Sequence, residues 1–195
     1  VNPKIGALPT SSSSEYHVIK YVTYGGASIP PTNLYKVFDS WNTSTTGSGV
    51  KLTSSYVVDK NIVVYAQYQD PKFIVPNLSK KSVYLTFDPN GGTVEPTYKS
   101  YTCDLLGWYS APYGGTKYTS GTSIIKNTTV HAQWIGTQVG SLPTPDNPGY
   151  PFAGWYYNST KITEEYLIST NIVVKALYSQ SPIWLRSSGK WIPYR

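Results

Sequence analysis

The segment Asn61-Ile62-Val63-Val64-Tyr65-Ala66-Gln67-Tyr68 recurs twice further along the chain. It returns 66 residues later as Asn127-Thr128-Thr129-Val130-His131-Ala132-Gln133-Trp134, and a further 44 residues later as Asn171-Ile172-Val173-Val174-Lys175-Ala176-Leu177-Tyr178. Apolar residues occupy alternate positions of each segment, which predicts a β-strand with one buried face. A segment that returns in this way indicates an internal repeat.

A tryptophan-containing element precedes each of these strands. It reads Phe38-Asp39-Ser40-Trp41 in copy one, Leu105-Leu106-Gly107-Trp108 in copy two and Phe152-Ala153-Gly154-Trp155 in copy three. Glycine tolerates backbone conformations that other residues avoid, so we expect a tight turn before the tryptophan. Ser40 replaces the glycine in copy one, where we expect the turn to differ.

Copies one and two also share an opening strand. Tyr84-Leu85-Thr86-Phe87-Asp88 runs into Pro89-Asn90-Gly91-Gly92, and Asn-Gly is a strong hairpin signal. The counterpart in copy one is Val18–Tyr24, followed by two glycines. Copy three has only Thr137–Gly140 in this place. We therefore expect copy three to take an edge strand from a neighbouring copy, or to leave an edge that invites strand addition.

The composition favours a mainly β protein. The chain of 195 residues contains 19 Tyr, 6 Trp and 4 Phe, together with 16 Gly and 15 Pro. Aromatic and β-branched residues suit a pleated surface, and Gly and Pro suit turns. The predicted organisation is an N-terminal anchoring segment 1–15, module one 16–70, a linker 71–81, module two 82–135, a truncated module three 136–179, and a C-terminal hairpin or tail 180–195.

We expect the repeated aromatic and alanine positions to form the core of each module. A large apolar side chain and the alternating residues of the last strand would form the two walls of one small core. The predicted core residues are Trp41, Trp108, Trp155, Ala66, Ala132, Ala176, Tyr68, Trp134 and Tyr178. Cys103 is expected to be a small buried residue near this core.

Charge and cysteine content argue against several classes of protein. Charged residues make up 13% of the chain and the net charge is +6, without the basic patch that a nucleic-acid partner requires. Cys103 is the only cysteine, so neither an internal disulfide nor a thiolate metal site is expected. No stretch is long enough for a membrane span, and no apolar signal segment follows Val1, so we expect no secretion signal.

Catalytic chemistry is not expected either. The two histidines, His17 and His131, lack the spacing of a metal site, and no nucleophile motif occurs. His131 takes the position of Tyr65 and Lys175 in the other copies, which favours an outward strand position. His17 is expected to form a solvated pair with Glu15. We therefore expect a protein that is not an enzyme and holds no metal and no cofactor.

Copy two resembles the Listeria–Bacteroides repeat, also called the internalin B-type repeat. The resemblance rests on Phe87–Val94, Leu105–Tyr109, Gly114–Tyr118 and Thr129–Trp134. Copies one and three are similar in their second halves. The resemblance implies three tandem small β-grasp-like modules with short flanking β segments, used for display or adhesion on bacterial and bacteriophage surfaces. It implies no catalytic residue.

Both ends of the chain are similar to segments of bacteriophage structural proteins. Lys4–Ser11 resembles an opening of virion proteins, and Pro182–Pro193 resembles a short hairpin at their ends. These likenesses favour a virion structural protein, as capsid decoration, head fibre or tail component, with other capsid or tail proteins as partners. The candidate anchoring residues are Ile5, Leu8, Pro9, Trp184, Arg186 and Trp191.

Exposed tyrosines beside the tryptophans are the candidate contacts with a host-surface glycan or protein. Aromatic side chains bind such surfaces at low cost in conformational entropy. The candidates are Tyr109, Tyr113, Tyr156 and Tyr157. Two other interpretations stay open at this point, a fragment of a bacterial cell-surface adhesin and a glycan-binding module. An oligomer is compatible with all of them.

Overall fold

The computed structural model describes residues 2–179, 184–187 and 190–193. Within them the chain forms fifteen β-strands and no helix, which confirms the mainly β class. The strands are β1 (Tyr16–Val22), β2 (Thr32–Tyr35), β3 (Val37–Asn42), β4 (Tyr65–Gln69), β5 (Lys80–Asp88), β6 (Tyr98–Tyr109), β7 (Lys117–Tyr118), β8 (Thr128–Trp134), β9 (Thr137–Gln138), β10 (Phe152–Tyr157), β11 (Thr160–Ile162), β12 (Leu167–Ile168), β13 (Ile172–Tyr178), β14 (Trp184–Ser187) and β15 (Lys190–Pro193).

These strands belong to two compact units, and neither unit is continuous in sequence. The described part of unit 1 lies within Val1–Val22, Ser28–Pro76 and Trp108–His131. The described part of unit 2 lies within Thr23–Ala27, Asn77–Gly107 and Ala132–Arg195. Copy two of the repeat therefore contributes residues to both units.

Unit 2 contains the strand order β11–β10–β13–β5–β6, with β9 and β12 as a separate pair. Alternate residues of β5 are buried, because one face of the strand covers the core. Its Leu85 lies opposite Ile172 in a parallel pairing with β13, and its Phe87 packs on Trp155 with ring centroids 4.9 Å apart. The apolar core of unit 2 is built around this contact.

Unit 1 contains the strand order β8–β1–β2, the separate pair β3–β4, and β7 paired with Trp108 and Tyr109. Ile19 of β1 and Val130 of β8 are fully buried. Tyr21 packs edge-on against Trp108, with ring centroids 5.3 Å apart, and lies 6.5 Å from the ring of Phe73.

Each opening strand turns back as an antiparallel hairpin, as the glycine pairs predict. The β5–β6 hairpin turns at Asn90 and Gly91, whose φ angles are 48° and 98°. The β1 strand turns at Tyr24 and Gly25, with φ angles of 48° and 89°, before it pairs with β2. Each turn is closed by a backbone hydrogen bond, from Gly92 to Pro89 or from Gly26 to Thr23, and lies within a nine-residue connection, 89–97 or 23–31. We call β1–β2 and β5–β6 the opening hairpins.

The opening hairpins pair with the closing strand of the following copy. Strand β1 of copy one runs parallel to β8 of copy two, and β5 of copy two runs parallel to β13 of copy three. Copy three therefore takes its edge strand from its neighbour, as predicted. The alternative expectation of an open edge in copy three is wrong, because β13 lies between β10 and β5. The closing strand of copy one, β4, pairs only with β3 among the described residues.

The predicted tight turn before each tryptophan is wrong. Trp41, Trp108 and Trp155 all lie inside strands, namely β3, β6 and β10. The pairing of β10 shifts register by one residue at Gly154, which has a φ of 147°, so the glycine serves a β-bulge. The pairing of β3 shifts at Ser40 in the same way, without a positive φ.

The predicted core residues differ in burial. Trp108, Trp155, Ala132, Ala176 and Cys103 are at most 1% exposed, as expected of core residues. The other five predicted core residues are only half-buried, so their burial is less complete than predicted. They are Trp41, Ala66, Tyr68, Trp134 and Tyr178.

Three of these half-buried residues, Trp41, Tyr68 and Tyr178, pack in equivalent aromatic clusters. Phe38 contacts the rings of Trp41 and Tyr68 at centroid distances of 5.6 and 6.1 Å. Phe152 contacts the rings of Trp155 and Tyr178 in the corresponding way, at 5.5 and 6.2 Å. The repeated aromatic positions therefore have the same packing role in copies one and three.

The expected pair between Glu15 and His17 is also wrong. Glu15 accepts a hydrogen bond of 2.7 Å from Lys36, which lowers the pKa of the carboxyl group, and the backbone N–H of Lys36 donates to the carbonyl oxygen of Glu15. His17 instead lies half-buried, with Nε2 3.7 Å from a carboxylate oxygen of Asp70. His131 is half-buried between the buried Val130 and Ala132, on the opposite face of β8.

The C-terminal hairpin predicted for residues 180–195 is present in the backbone. Strands β14 and β15 pair antiparallel, with Leu185 opposite Ile192. The side chains of the candidate anchoring residues Trp184, Arg186 and Trp191 lie outside the described part of the structure. Their predicted anchoring role remains a prediction.

Candidate functional site

The N-terminal segment of the chain has the same structure as the segment that precedes β10. Ile5-Gly6-Ala7-Leu8-Pro9 corresponds to Val139-Gly140-Ser141-Leu142-Pro143, and both glycines have positive φ, 73° and 61°. The indole Nε1 of Trp41 donates to the carbonyl oxygen of Pro9 at 2.7 Å, and that of Trp155 donates to Pro143 at 2.7 Å. Each Leu-Pro segment thus fixes the tryptophan of its own copy.

The backbone contacts of these two segments agree as well. The N–H of Ile5 donates to the carbonyl oxygen of Tyr56 at 3.0 Å, and the N–H of Val139 donates to Tyr166 at 3.0 Å. In copy two the equivalent N–H is that of Phe73, which donates to the carbonyl oxygen of Thr122 at 2.8 Å. We call this segment, the tryptophan strand and the closing strand of one copy an acceptor half. The candidate anchoring residues Ile5, Leu8 and Pro9 therefore lie in the acceptor half of copy one.

In copy three, the acceptor half is covered by β5. The buried face of β5 presents Val83, Leu85 and Phe87 to this half, and all three are at most 3% exposed. They share one apolar core with the acceptor residues of copy three. Those acceptor residues are Val139, Leu142, Ile162, Ile168, Ile172 and Val174.

In copy one, the equivalent apolar residues line an open groove. The groove has a volume of about 410 Å³. Its apolar lining consists of Ile5, Leu8, Leu52, Val58, Ile62 and Val64. Each of these residues corresponds to one of the six acceptor residues of copy three, in the same order. The groove is half of a core whose other half is missing among the described residues.

Burial shows the consequence of the missing strand. Ile172 and Val174 of copy three are 5% and 0% exposed, whereas their counterparts Ile62 and Val64 are only half-buried. Residues 61–64 do not form a strand, because no partner strand lies beside them in the described part of the chain.

An asparagine marks the start of each acceptor edge. The side-chain Oδ1 of Asn171 accepts a hydrogen bond from the backbone N–H of Tyr84 at 3.0 Å. The Oδ1 of Asn127 accepts one from the N–H of Val18 at 2.9 Å. In both cases the asparagine receives the incoming opening strand. Asn61 stands at the same position of copy one and is exposed.

The tyrosines predicted from the sequence to contact a glycan or protein are distributed over both units. In unit 1, Tyr113 is 89% exposed, while Tyr109 is half-buried with the ammonium group of Lys117 5.8 Å from its ring centroid. In unit 2, Tyr156 is half-buried, and Tyr157 packs against the apolar core. Their predicted contact with a glycan or protein remains a prediction.

Two tyrosine pairs that the sequence did not single out lie on the opening hairpins. Tyr16 and Tyr35 lie opposite each other on β1 and β2, with ring centroids 5.2 Å apart. Tyr84 and Tyr98 of β5 and β6 lie 5.9 Å apart, and all four rings are between 44% and 56% exposed. The alternation of residues in β5 predicts that Tyr84 faces solvent. That it contacts Tyr98 follows only from the register of the β5–β6 hairpin, which the sequence pattern does not give.

The family model of the Listeria–Bacteroides repeat domain matches residues 11–67, 101–133 and 135–180. The chain belongs to this family. No curated protein and no solved structure matches the chain. Membership indicates a surface-associated repeat protein. Each matched range contains the tryptophan of one copy and most of its closing strand.

A buried lysine lies outside these acceptor edges, in unit 2. Lys81 of β5 is 5% exposed, and its ammonium group donates to the carbonyl oxygen of Tyr24 at 2.7 Å. The same group lies 5.0 Å from the ring centroid of Trp134. Burial lowers the pKa of Lys81. These contacts tie β5 to the turn at Tyr24, so we assign Lys81 a structural role.

The described residues contain no other group with evident site chemistry. In residues 2–179, 184–187 and 190–193, no three His, Cys, Asp or Glu side chains lie close enough to hold a metal ion. The same residues form no helix that is long and apolar enough to cross a membrane. The open groove of copy one and the exposed tyrosines are therefore the candidate functional features of this Listeria–Bacteroides repeat protein.

Proposed function

We propose that this chain is a non-enzymatic adhesion protein that displays its repeats on the surface of a bacteriophage virion. The observation that carries the adhesion role is the pair of exposed tyrosine clusters on equivalent opening hairpins. Membership of a surface-associated repeat family supports display. The proposed partners are other virion proteins and a glycan or protein on the host surface.

The tyrosine clusters suit contact with a glycan. In each cluster two rings lie 5.2 or 5.9 Å apart on the solvent face of a sheet, so the backbone holds them in place before binding. Rings that are already ordered lose little entropy on binding, and their hydroxyl groups offer hydrogen bonds at the rim. The exposed Tyr113 adds a further contact in unit 1.

The non-enzymatic role is supported by the placement of the ionisable groups. General acid–base catalysis needs two groups that converge on one substrate, usually with displaced pKa values. The carboxylates with lowered pKa values, Glu15 and Asp39, are exposed and paired with Lys36 and Lys51 at 2.7 and 3.1 Å. Such pairs fit a solvated surface.

A glycan array tests the adhesion role. The full chain is compared with the double variant Tyr84→Ala, Tyr98→Ala, and with Tyr150→Ala as a control, since Tyr150 is 52% exposed outside both clusters. We expect binding that the double variant weakens by at least ten-fold and the control leaves unchanged. Failure of the array and of host-cell binding would exclude adhesion through these rings.

The virion setting is supported by the likeness of residues 182–193 to the ends of bacteriophage structural proteins and is tested separately. Mass spectrometry of purified particles should detect this chain in a constant ratio to the major capsid protein. Its absence from particles, together with its presence in a bacterial cell-surface fraction, would favour the second candidate, a cell-surface adhesin. The family membership is compatible with either surface.

A further inference from the structure

The open groove of copy one is a half-completed core, and the two completed cores show what fills it. Among the described residues the chain has three acceptor halves and two opening hairpins. Each hairpin fills the acceptor half of the following copy, so the acceptor half of copy one has none. The side-chain pattern of the strand that would fill it can therefore be inferred from β1 and β5.

We propose that the groove of copy one binds an opening-type β-strand supplied from outside this chain. The bound strand would lie parallel to residues 61–65, as β5 lies parallel to β13. It would carry apolar side chains at alternate positions, as β5 does with Val83, Leu85 and Phe87. The groove would thus recognise a further repeat of the same kind by strand addition.

The apolar lining supports this occupant. The six apolar lining residues correspond to residues that pack in the same apolar core as β5 in copy three. Lys60 and Asn61 complete the lining. An open edge that ends a sheet is also a template for hydrogen bonding, and proteins usually cover it. No charged residue interrupts Ile62 to Val64, and Lys60 is the charged residue that lines the groove.

Asn61 supports the parallel orientation. Asn127 and Asn171 each accept the backbone N–H of the residue directly before the first residue of the parallel pairing, Val18 or Tyr84, at 2.9 and 3.0 Å. Asn61 occupies the same position before the same alternating apolar residues. Its amide oxygen is therefore placed to accept an N–H from the incoming strand, and it would fix the register of that strand.

A second copy of this chain is a poor source of the strand. Each molecule has one unfilled acceptor half and no spare opening hairpin among its described residues. Exchange of hairpins between two molecules therefore leaves the same number of grooves open. The remaining hairpin, β14–β15, has strands of 4 residues each, whereas β1 and β5 have 7 and 9. The occupant is therefore a strand from another polypeptide segment.

The test uses the full chain and a synthetic peptide of residues 80–104 with Cys103→Ser, which reproduces the β5–β6 hairpin. We expect one peptide to bind per chain, and amide hydrogen exchange of residues 61–65 to slow by at least ten-fold. Asn61→Ala should weaken binding by about three- to ten-fold, the usual effect of one lost hydrogen bond. Ile62→Asp should abolish binding.

Two controls separate groove binding from nonspecific association. Asn33→Ala, an exposed asparagine of β2 in the same unit, should leave binding unchanged. A peptide that carries Leu85→Asp and Phe87→Asp should not bind. The hydrogen–deuterium exchange of β8 and β13 in the free variants checks that they remain folded.

Three results would overturn the proposal. The first is no binding of the peptide at millimolar concentration by the folded chain. The second is binding that neither Asn61→Ala nor Ile62→Asp changes. The third is self-association of the chain alone that Ile62→Asp prevents, because a second copy would then fill the groove. These results do not depend on the virion assay or the glycan array, so this proposal and the proposed function can fail separately.

Discussion

The indole Nε1 of Trp155 donates a hydrogen bond of 2.7 Å to the carbonyl oxygen of Pro143. Trp41 makes the equivalent bond to Pro9, but the Nε1 of Trp108 is buried without a hydrogen-bond partner among the described residues. Trp155 and Trp108, which are equally buried in two copies of the same repeat, therefore differ in one polar contact. That difference predicts how each responds to the same substitution.

Trp155→Phe should destabilise its core more than Trp108→Phe destabilises its own. Both changes remove similar apolar volume, and both tryptophans are 1% exposed. Only Trp155→Phe loses a hydrogen bond and leaves a carbonyl group unpaired, which costs about 1–2 kcal/mol more. Urea unfolding followed by the amide signals of β8 and β13 measures the two cores separately. Equal losses would contradict the assigned role of Pro143.

Asn171→Ala should destabilise the chain by about 0.5–1.5 kcal/mol, because it removes the acceptor for the backbone N–H of Tyr84. The exchange rate of the Tyr84 amide proton should rise by a larger factor than those of its neighbours. Asn61→Ala is the matched control, since Asn61 receives no strand in the free chain, and its effect on stability should be close to zero. A similar loss for both variants would show that the asparagines act in some other way.

Gly154→Ala should be destabilising by about 1–3 kcal/mol, because Gly154 has a φ of 147°, which L-residues rarely adopt. A Cβ there would also come within 2.6 Å of the Lys161 Cε atom, although that flexible side chain can move. Gly121→Ala is the control, since nothing lies within 4 Å of the position that its Cβ would take and its φ is ordinary. Thermal unfolding should show a lower Tm for the first variant only.

The stability of the chain relative to Lys81→Met should rise with pH in the alkaline range. Burial lowers the pKa of Lys81 below its unfolded value of 10.5, so the unfolded state binds more protons between these two values. Protonation of Lys81 therefore opposes folding below its folded pKa, and this opposition disappears as the pH approaches 10.5. Urea unfolding at several pH values measures the difference. The opposite slope would show that Tyr24 and Trp134 stabilise the ammonium form more than burial penalises it.

Much of this fold could be predicted from the sequence. The alternation of Val83, Leu85 and Phe87 with polar residues specifies a strand and its buried face, and the Asn90-Gly91 pair specifies a hairpin. The recurrence of the Ala-containing closing strand identifies the repeat. These signals are local, so they need no knowledge of which strands meet.

The choice of pairing partner could not be predicted in the same way. The closing strands β8 and β13 have nearly the same apolar pattern, so β5 is compatible with either, and only the path of the chain between them decides. Gly154 was similarly ambiguous, because a positive φ suits a tight turn and a β-bulge equally well. The shortened opening strand of copy three is compatible with a borrowed strand or with an open edge. The structure shows the borrowed strand there, and it leaves residues 61–64 of copy one without a partner strand among the described residues.

Each opening hairpin completes the acceptor half of the next copy, and the open groove of copy one follows from this offset. Thr86 lies directly opposite Val173 in the parallel pairing of β5 and β13, while Thr129, the counterpart of Val173 in copy two, lies opposite Lys20. Directly paired cysteines on neighbouring strands lie within the Cα separation of about 4.4–6.8 Å that a disulfide requires. Cysteine pairs can therefore report which closing strand β5 meets.

The most direct measurement is disulfide formation in two double variants, with peptide mapping to exclude the buried Cys103. We expect the variant Thr86→Cys, Val173→Cys to form an intramolecular disulfide under mild oxidation, and the variant Thr86→Cys, Thr129→Cys to remain reduced. The reverse outcome would show that β5 pairs with the closing strand of its own copy, and it would contradict both the interleaved repeats and the open groove of copy one.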